Sequence, residues 1–542
     1  MHRLETTQLL ARAIDETINE RVAPVSDFVE GIVFFAVPIG GVEVPLIIVW
    51  LSAAALFFTF YLRLQPITGF RKSLGIIRGR FTRKTDPGEV SSFQALATEL
   101  SGTVGLGNIA GVALAVSLGG PGAALWIIIF GLFSMSVKMV EATLGVKYRT
   151  IHADGSISGG PMYFLRDGLA DIGRPGLGRF LAIFYCLATL GGMLGAALFQ
   201  SNQSTAILVD ATGGADSFFA DKLWLVGSVI ALLVGIVVIG GIRRVATWTS
   251  RITPLMAILY FVCVIVIIVV HAPEVPHAIG LIVTGAFTGP GVAGGAVGVA
   301  IIGIQRALFS NAAGVGTAAM AHSASKTTKP ASEGYVAMWE PLIDSVIVCS
   351  LTALAITVTG RYETGASDGI ELTAEAFRAV TTWFPLLLTV AAVLFAFSTM
   401  LAYCYYGQKT LGFMTGDSAL AERIFQVVWV IFIVIGASAS FDAIMSLADS
   451  VFFLMAVPNL LGIYFLAKVV RLEILRYRTQ RDLGRITEVD EELRVGMGDH
   501  DPTEEQLAAA AAGRKRKKER SAQIKAEIRE LKALRAQHRR RP

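Results

Sequence analysis

Ser101-Gly102-Thr103-Val104-Gly105-Leu106-Gly107-Asn108-Ile109-Ala110-Gly111 and Ser310-Asn311-Ala312-Ala313-Gly314-Val315-Gly316-Thr317 are the two stretches on which the fold turns. Each sits inside a long apolar segment, yet each mixes several glycines with Ser, Thr and Asn. A glycine weakens a helix by about 1 kcal/mol relative to alanine, so such runs invite a break. A break at bilayer depth frees backbone amides and carbonyls that hydrocarbon cannot satisfy, and it is tolerated only beside a ligand, an ion or a cavity. Close helix packing through small residues is the alternative reading of either run taken alone.

The surroundings of these runs are those of a membrane protein. The 542 residues are 54% hydrophobic and 16% charged, with 55 glycines; a soluble chain carries about 25% charge. Spanning a bilayer takes about 20 mostly apolar residues. About eleven segments qualify: 42–62, 93–118, 123–147, 180–208, 222–241, 253–271, 293–318, 337–359, 384–411, 423–440 and 448–469. The expected fold is therefore an all-α polytopic membrane protein. It divides into an N-terminal interfacial segment (1–41), a transmembrane core (42–470) and a basic C-terminal tail (471–542). The short apolar run from Phe28 to Ile39 is too brief to span, and the N-terminus lacks the basic and apolar regions of a cleavable signal. Cys186, Cys263, Cys349 and Cys404 lie in apolar segments without CxxC spacing, and read as packing residues.

Lysines and arginines alternate between connections. Seven fall between Arg63 and Lys84, and others mark the third, fifth, seventh and ninth connections, whereas 119–122, 272–292 and 441–447 have none. Loop 360–383 weakens the contrast, with Arg361 and Arg378 among several acids. The positive-inside rule then puts the N-terminus outside and the C-terminus in the cytoplasm of a bacterial-type inner membrane. The tail carries thirteen Lys and Arg from Arg514 onward, mixed with Glu519, Glu527 and Glu530. It reads either as a solvated helix or as a contact for anionic lipid; with no aromatic interleaved, nucleic acid is not an expected partner.

With the opening span set aside, the polar-glycine runs fall in the first and sixth of ten spans. Inverted repeats of five spans place their substrate between two such broken helices. Half-helix amino ends would meet a carboxylate and freed carbonyls a sodium ion. Ser398 and Thr399, adjacent hydroxyls in an apolar stretch, suit a Na⁺ site facing the first run, with Gly102 and Gly105. Gln200 and Asn202 add polar groups at depth, as does Tyr403 one turn beyond Thr399. Gln200 either reads an amino-acid head group or makes an interhelical hydrogen bond. Glu99, Lys138, Glu141, Asp344 and Asp449 are charges in or near apolar spans, where they usually face protein or water. Lys138 and Glu141, three apart, are expected to pair locally; Glu99 either influences ion coupling or snorkels to the interface. The scattered histidines form no HExxH spacing, so a membrane enzyme is not expected, nor any cofactor.

The same residues resemble the alanine or glycine:cation symporter family. Ser91-Ser92-Phe93-Gln94-Ala95-Leu96, Thr103 to Val112 and Gly119-Gly120-Pro121-Gly122-Ala123 carry the likeness first. Lys138 with Glu141, Gly159 to Tyr163, Gln200-Ser201-Asn202 and Gly240-Gly241-Ile242 follow in order. Phe309-Ser310-Asn311, Ala313-Gly314, Phe397-Ser398-Thr399, Tyr405-Tyr406-Gly407 and Pro458-Asn459 complete it. The resemblance implies a LeuT-like fold, a 5+5 inverted repeat plus one extra N-terminal span, with Na⁺ (sometimes H⁺) as coupling ion and alanine or glycine as substrate. The candidate substrate residues are Thr103, Gly105, Gly107, Asn108, Gln200, Asn202, Ser310, Asn311, Gly314, Thr399 and Tyr403; those for Na⁺ are Gly102, Gly105, Ser398 and Thr399. The chain departs from the family pattern at Ala312, where an acid is usual, at Tyr403, usually Trp, and at Gln408, usually Glu. If Glu99 replaces the missing acid, neutralising it should abolish the ion dependence of uptake. An H⁺-coupled carrier of another small solute, and a transporter-like receptor signalling through the tail, are the alternative functions.

Overall fold

The computed structural model describes residues 28–39, 42–239, 241–288, 295–364, 369–439, 441–489 and 494–495. The basic helix expected beyond Arg514 lies outside them. Phe28, Ile32 and Phe35 stand exposed ahead of a small antiparallel hairpin, Ala36–Ile39 with Val42–Pro45.

Helix α1 (Leu46–Tyr61) follows, and a short helix, Phe70–Ile77, lies in the basic connection after it. The first polar-glycine segment is α2 (Ser92–Thr103) and α3 (Ala110–Gly119), bent by 59° about the intervening residues. Then come α4 (Ala123–Lys147), α5 (Pro175–Ala211), α6 (Leu223–Val238) and α7 (Gly241–Val270). Helix α8 (Val275–Thr288) occupies a stretch expected to be a plain connection. The second polar-glycine segment is α9 (Gly295–Asn311) and α10 (Thr317–Ser323). It leads to α11 (Pro330–Val358), a short α12 (Ile370–Arg378), α13 (Pro385–Thr415), α14 (Ala419–Ser438), α15 (Phe441–Leu454) and α16 (Ala456–Asp482).

Each of the expected apolar segments falls on one of these helices. Among the described residues, seven helices qualify as spans by length and composition, eight if the bent pair is one, and α1, α6 and α9 are shorter apolar helices. The last helix runs past 470 to Asp482, so the expected domain boundary falls inside it.

The outer helices carry the lipid-compatible surface. Leu232, Ile236, Leu255, Ile258, Val427 and Ile431 are exposed on α6, α7 and α14. The polar-glycine segments lie inside. Helix α4 packs on α9, α10 and α11; α5 packs on α13, α14 and α15; α7 packs on α2 and α13. The breaks thus face each other across a buried interior rather than lipid. The basic connections gather on one face: Arg149 donates to the carbonyls of Pro87, Ser323, Ser325 and Thr327, and Arg243 lies 3.9 Å from Glu89.

Candidate functional site: two interrupted helices and the cavity between them

Helix α2 begins with a reciprocal capping box. The Gln94 amide donates to Ser91 Oγ (3.2 Å) and the Ser91 amide to Gln94 Oε1 (2.9 Å). Nine residues on, the α-helix stops. Val104 turns the chain, with the Gly105 amide 2.9 Å from the Thr103 carbonyl; Gly105 is extended, a single 3₁₀ turn covers Leu106–Asn108, and α3 resumes at a new angle. Side chains take up the backbone groups this releases. The Gly105 amide donates to Asn108 Oδ1 (3.1 Å) and the Leu106 amide to Gln200 Oε1 (3.3 Å). A β-carbon on Gly105 would come 2.7 Å from Thr399 Oγ1 and 2.9 Å from Gln200 Nε2, so only glycine lets the three segments close up.

The second break is built from left-handed residues, Ala312 (φ 53°), Gly314 (φ 92°) and Gly316 (φ 97°). For Ala312 that conformation costs about 1–2 kcal/mol. Its neighbours hold it in place. Glu141 Oε1 accepts from the Gly314 amide (2.9 Å), Asn459 Nδ2 donates to the Gly314 carbonyl (2.7 Å), and Tyr185 donates to the Val315 carbonyl (3.1 Å). Unpaired backbone at membrane depth is satisfied here by side chains from three other helices.

One carboxylate joins the breaks. Asp344 on α11 accepts from Asn108 Nδ2 at Oδ1 (2.5 Å), and from Ser310 Oγ (2.6 Å) and Ser345 Oγ (2.9 Å) at Oδ2. All four side chains are buried. Asn311 donates to Ser345 and caps its own break through the Ala313 amide.

Between the breaks lies a small cavity of about 20 Å³. Six candidate residues line it: Gly102, Thr103, Gly107, Gln200, Ser310 and Tyr403. Phe199, Phe309 and Phe452 supply apolar walls. Asn108 sits one layer behind, at Asp344. Asn202 is turned elsewhere, donating to the Ala439 carbonyl (2.8 Å) at the end of α14. Asn311 and Gly314 belong to the scaffold of the second break, outside the cavity lining. One turn before Phe309 and Phe452, Arg306 and Asp449 form a buried ion pair.

The candidate Na⁺ residues meet where α2 crosses α13. Thr399 Oγ1 donates to the Ser101 carbonyl (2.8 Å), and Ser101 Oγ returns a bond to the Ser398 carbonyl (2.7 Å). Ser398 Oγ is held by the Phe395 carbonyl (3.0 Å). Gly102 lets the Tyr403 ring approach; a β-carbon there would lie 2.9 Å from it. These are neutral hydroxyl and carbonyl oxygens beside an interrupted helix, a donor set of the kind that suits a hard monovalent cation.

Two readings of the charged residues are corrected. Lys138 does not pair with Glu141: its ammonium bonds Glu99 Oε1 (2.6 Å) and lies 3.3 Å from both Glu340 Oε2 and Thr317 Oγ1. Glu141 is committed to the second break instead. Nor does Glu99 snorkel. It is wholly buried, accepting also from Thr317 Oγ1 and the Tyr406 hydroxyl, both at 2.5 Å. The network continues from Glu340 through His322 (2.6 Å) to Glu333 (2.9 Å) and Ser92 (2.6 Å). Sequence reasoning missed Asp344 as the link between breaks and His322 as a bridge. Buried charge in an apolar span was the available signal for Asp344, but its partner Asn108, 236 residues away, carries no local one.

Two interrupted helices meeting at a buried polar cavity, inside an apolar helical bundle, define a membrane transporter of the broken-helix class. The comparisons agree. The sodium:alanine symporter family model matches residues 33–491. The sodium/alanine symporter AgcS of Methanococcus maripaludis is 35% identical over 430 residues, 79% of this chain and 92% of that protein. The probable sodium/glutamine symporter GlnT of Bacillus subtilis is 30% identical over 443 residues, covering 81% and 89%. Among solved structures, MhsT in complex with L-phenylalanine superposes with a TM-score of 0.51 at 14% identity, over 72% of this chain and 98% of that one; it shares the fold. The chain belongs to the sodium:alanine symporter family and is a membrane transporter of the amino-acid symporter type, not an enzyme.

Proposed function

We propose that this chain couples Na⁺ influx to the uptake of a small neutral amino acid, alanine or glycine, by alternating access across a bacterial-type inner membrane. The carrying observation is the cavity between the two breaks, polar at Thr103, Gln200 and Ser310 and closed by aromatic rings. Its free space is about 20 Å³, so Gln200 and the Phe199, Phe309, Tyr403 and Phe452 walls must give way to a substrate, and a short side chain asks the least of them.

Binding follows from the groups that hold the breaks. The substrate carboxylate replaces Gln200 Oε1 at the Leu106 amide, near the positive end of α3. Gln200 then turns its carbonyl to the substrate ammonium, with Ser310 beside it. Sodium takes oxygens from the Ser101–Thr399 crossing. Ion and substrate share α2, so each stabilises the closed state for the other. The gathering of Arg149, Arg243 and the Arg63–Lys84 connection on one face supports a cytoplasmic C-terminus.

A second reading, coupling to H⁺, is favoured by Asp344, a buried carboxylate bonded to both interrupted segments. Uptake of labelled alanine, glycine, serine and glutamine into proteoliposomes, under an imposed Na⁺ gradient or an imposed pH gradient, separates the two. Accumulation that collapses without the Na⁺ gradient supports the first reading; accumulation driven by the pH gradient alone replaces it with the second.

A further inference from the structure

A cavity of about 210 Å³ opens on the basic face, remote from the two breaks. Three separate segments build it. The connection after α1 brings Arg83, the loop between α10 and α11 brings Thr327 and Lys329, and the chain beyond α16 brings Arg485 and Thr487.

The third segment returns to the first by backbone pairing. The Val489 amide donates to the Arg80 carbonyl (2.8 Å) and the Val495 amide to the Thr82 carbonyl (3.2 Å), with a further bridge between Arg83 and Arg494. A β-carbon on Gly79, already left-handed at φ 70°, would collide with the Val495 carbonyl. The returning chain is thus fitted, not draped.

Charge inside the cavity is unbalanced. Arg83, Lys329 and Arg485 face one carboxylate, Asp86, whose Oδ2 is already engaged by the Arg83 amide (3.0 Å). The nearby Glu488 is shared by Arg80 and Arg494. Burial and the neighbouring Arg83 charge lower the Lys329 pKa, with Asp86 opposing. A half-buried lysine beside two exposed guanidiniums is stabilised by a bound anion. The α11 helix begins at Pro330, between the lining residues Lys329 and Ser332, and its positive end adds to the field.

We propose that this cavity binds a phosphate oxyanion, gripped by Arg83 and Arg485 in the forked geometry that guanidinium offers phosphate, with Lys329 as a third charge. The position gives the site leverage on transport. Loop 324–329 pairs with the residues leading into α2: Glu89 and Lys326 exchange backbone bonds with Ala324 (2.7 Å) and Val90 (2.8 Å). An anion tying Lys329 to Arg83 and Arg485 therefore fastens the ends of both interrupted segments on this face. The phosphate comes either from a soluble ion or from a lipid headgroup.

The test uses the full chain in nanodiscs. One arm titrates inorganic phosphate into phosphatidylcholine discs, with chloride at matched ionic strength as control; the other replaces phosphatidylcholine stepwise by phosphatidylglycerol. The readout is the thermal unfolding midpoint against ligand. A saturable rise in either arm is expected, with apparent affinity at least tenfold weaker in Arg83→Ala/Arg485→Ala and unchanged in Arg71→Ala, which lies outside the cavity. Should the double variant not fold, Arg485→Gln must show the same weakening to a lesser degree. A rise with phosphate identifies a soluble ligand, and a rise only with phosphatidylglycerol a headgroup. No saturable rise in either arm, or a rise equal in wild type and variants, overturns the proposal. None of these outcomes depends on which amino acid is carried.

Discussion

Gly105 is where the chemistry of one residue decides the most. Thr399 Oγ1 and Gln200 Nε2 both stand where a β-carbon would go, at 2.7 and 2.9 Å. Its φ of −122° is open to any residue, so backbone conformation is not what demands glycine. Close approach is. Gly105→Ala is expected to separate α2 from α13 and to lower uptake more than tenfold while the protein still inserts and folds; proteoliposome uptake and thermal midpoint, measured together, check this. Glu99 poses a different question. With Lys138 it forms a pair that is wholly buried. Removing one partner of such a pair typically costs about 3–5 kcal/mol, because the other charge is left stranded, whereas replacing both by apolar or neutral groups is often nearly neutral. Lys138 retains Glu340 at 3.3 Å, so Glu99→Gln should fall at the low end of that range. Lys138→Met leaves Glu99 and Glu340 together and should cost more. The double variant Glu99→Gln/Lys138→Met should recover most of the loss. If Glu99→Gln is as stable as wild type yet its uptake no longer depends on the ion, the residue acts in coupling rather than in folding.

At the scale of elements, the breaks were legible and their supports were not. Both runs announced themselves by glycine among Ser, Thr and Asn at bilayer depth, and each is interrupted where the run lies. The hydroxyls of Ser398 and Thr399 stood out in the same way; the Thr399 hydroxyl donates to the Ser101 carbonyl, and the Ser398 carbonyl accepts from the Ser101 hydroxyl. What holds the second break, by contrast, is Glu141, Asn459 and Tyr185, drawn from three helices that are distant in sequence. Periodicity and composition describe one helix at a time, so they are silent on such partners. The local i, i+3 rule even misled for Lys138 and Glu141. It describes an exposed helix surface, and a packed interior offers longer-range partners. Ala312 gives a prediction at this scale. It holds φ 53° without the freedom of glycine. Ala312→Gly should leave the break intact and raise stability by about 1 kcal/mol, read as a higher thermal midpoint. A fall instead would mean that the methyl group packs for more than the strain it bears.

The whole molecule has one face on which basic residues collect, and its sidedness can be read chemically. Arg71 lies in the connection after α1, whereas Asp216 lies between α5 and α6, at the opposite ends of spans. Both are exposed. The four native cysteines are free but buried, so an impermeant maleimide has little background to label. Asp216→Cys should react on intact cells. Arg71→Cys should react only after the membrane is opened, since lysine and arginine near span ends are retained on the cytoplasmic side. The reverse pattern would invert the molecule and place the phosphate cavity outside the cell. The same asymmetry bears on the tail. After α16 the chain pairs with the first basic connection through the amides of Val489 and Val495. Truncation after 495 should therefore leave uptake within about twofold of wild type, while truncation after Asp482 should remove Arg485 and Thr487 and open the cavity they help to build. If truncation after 495 already abolishes uptake of alanine, transport itself needs the basic segment beyond 495. If neither truncation matters, the returning chain is dispensable for transport, and its fitted pairing with Arg80 and Thr82 then serves the anion site alone.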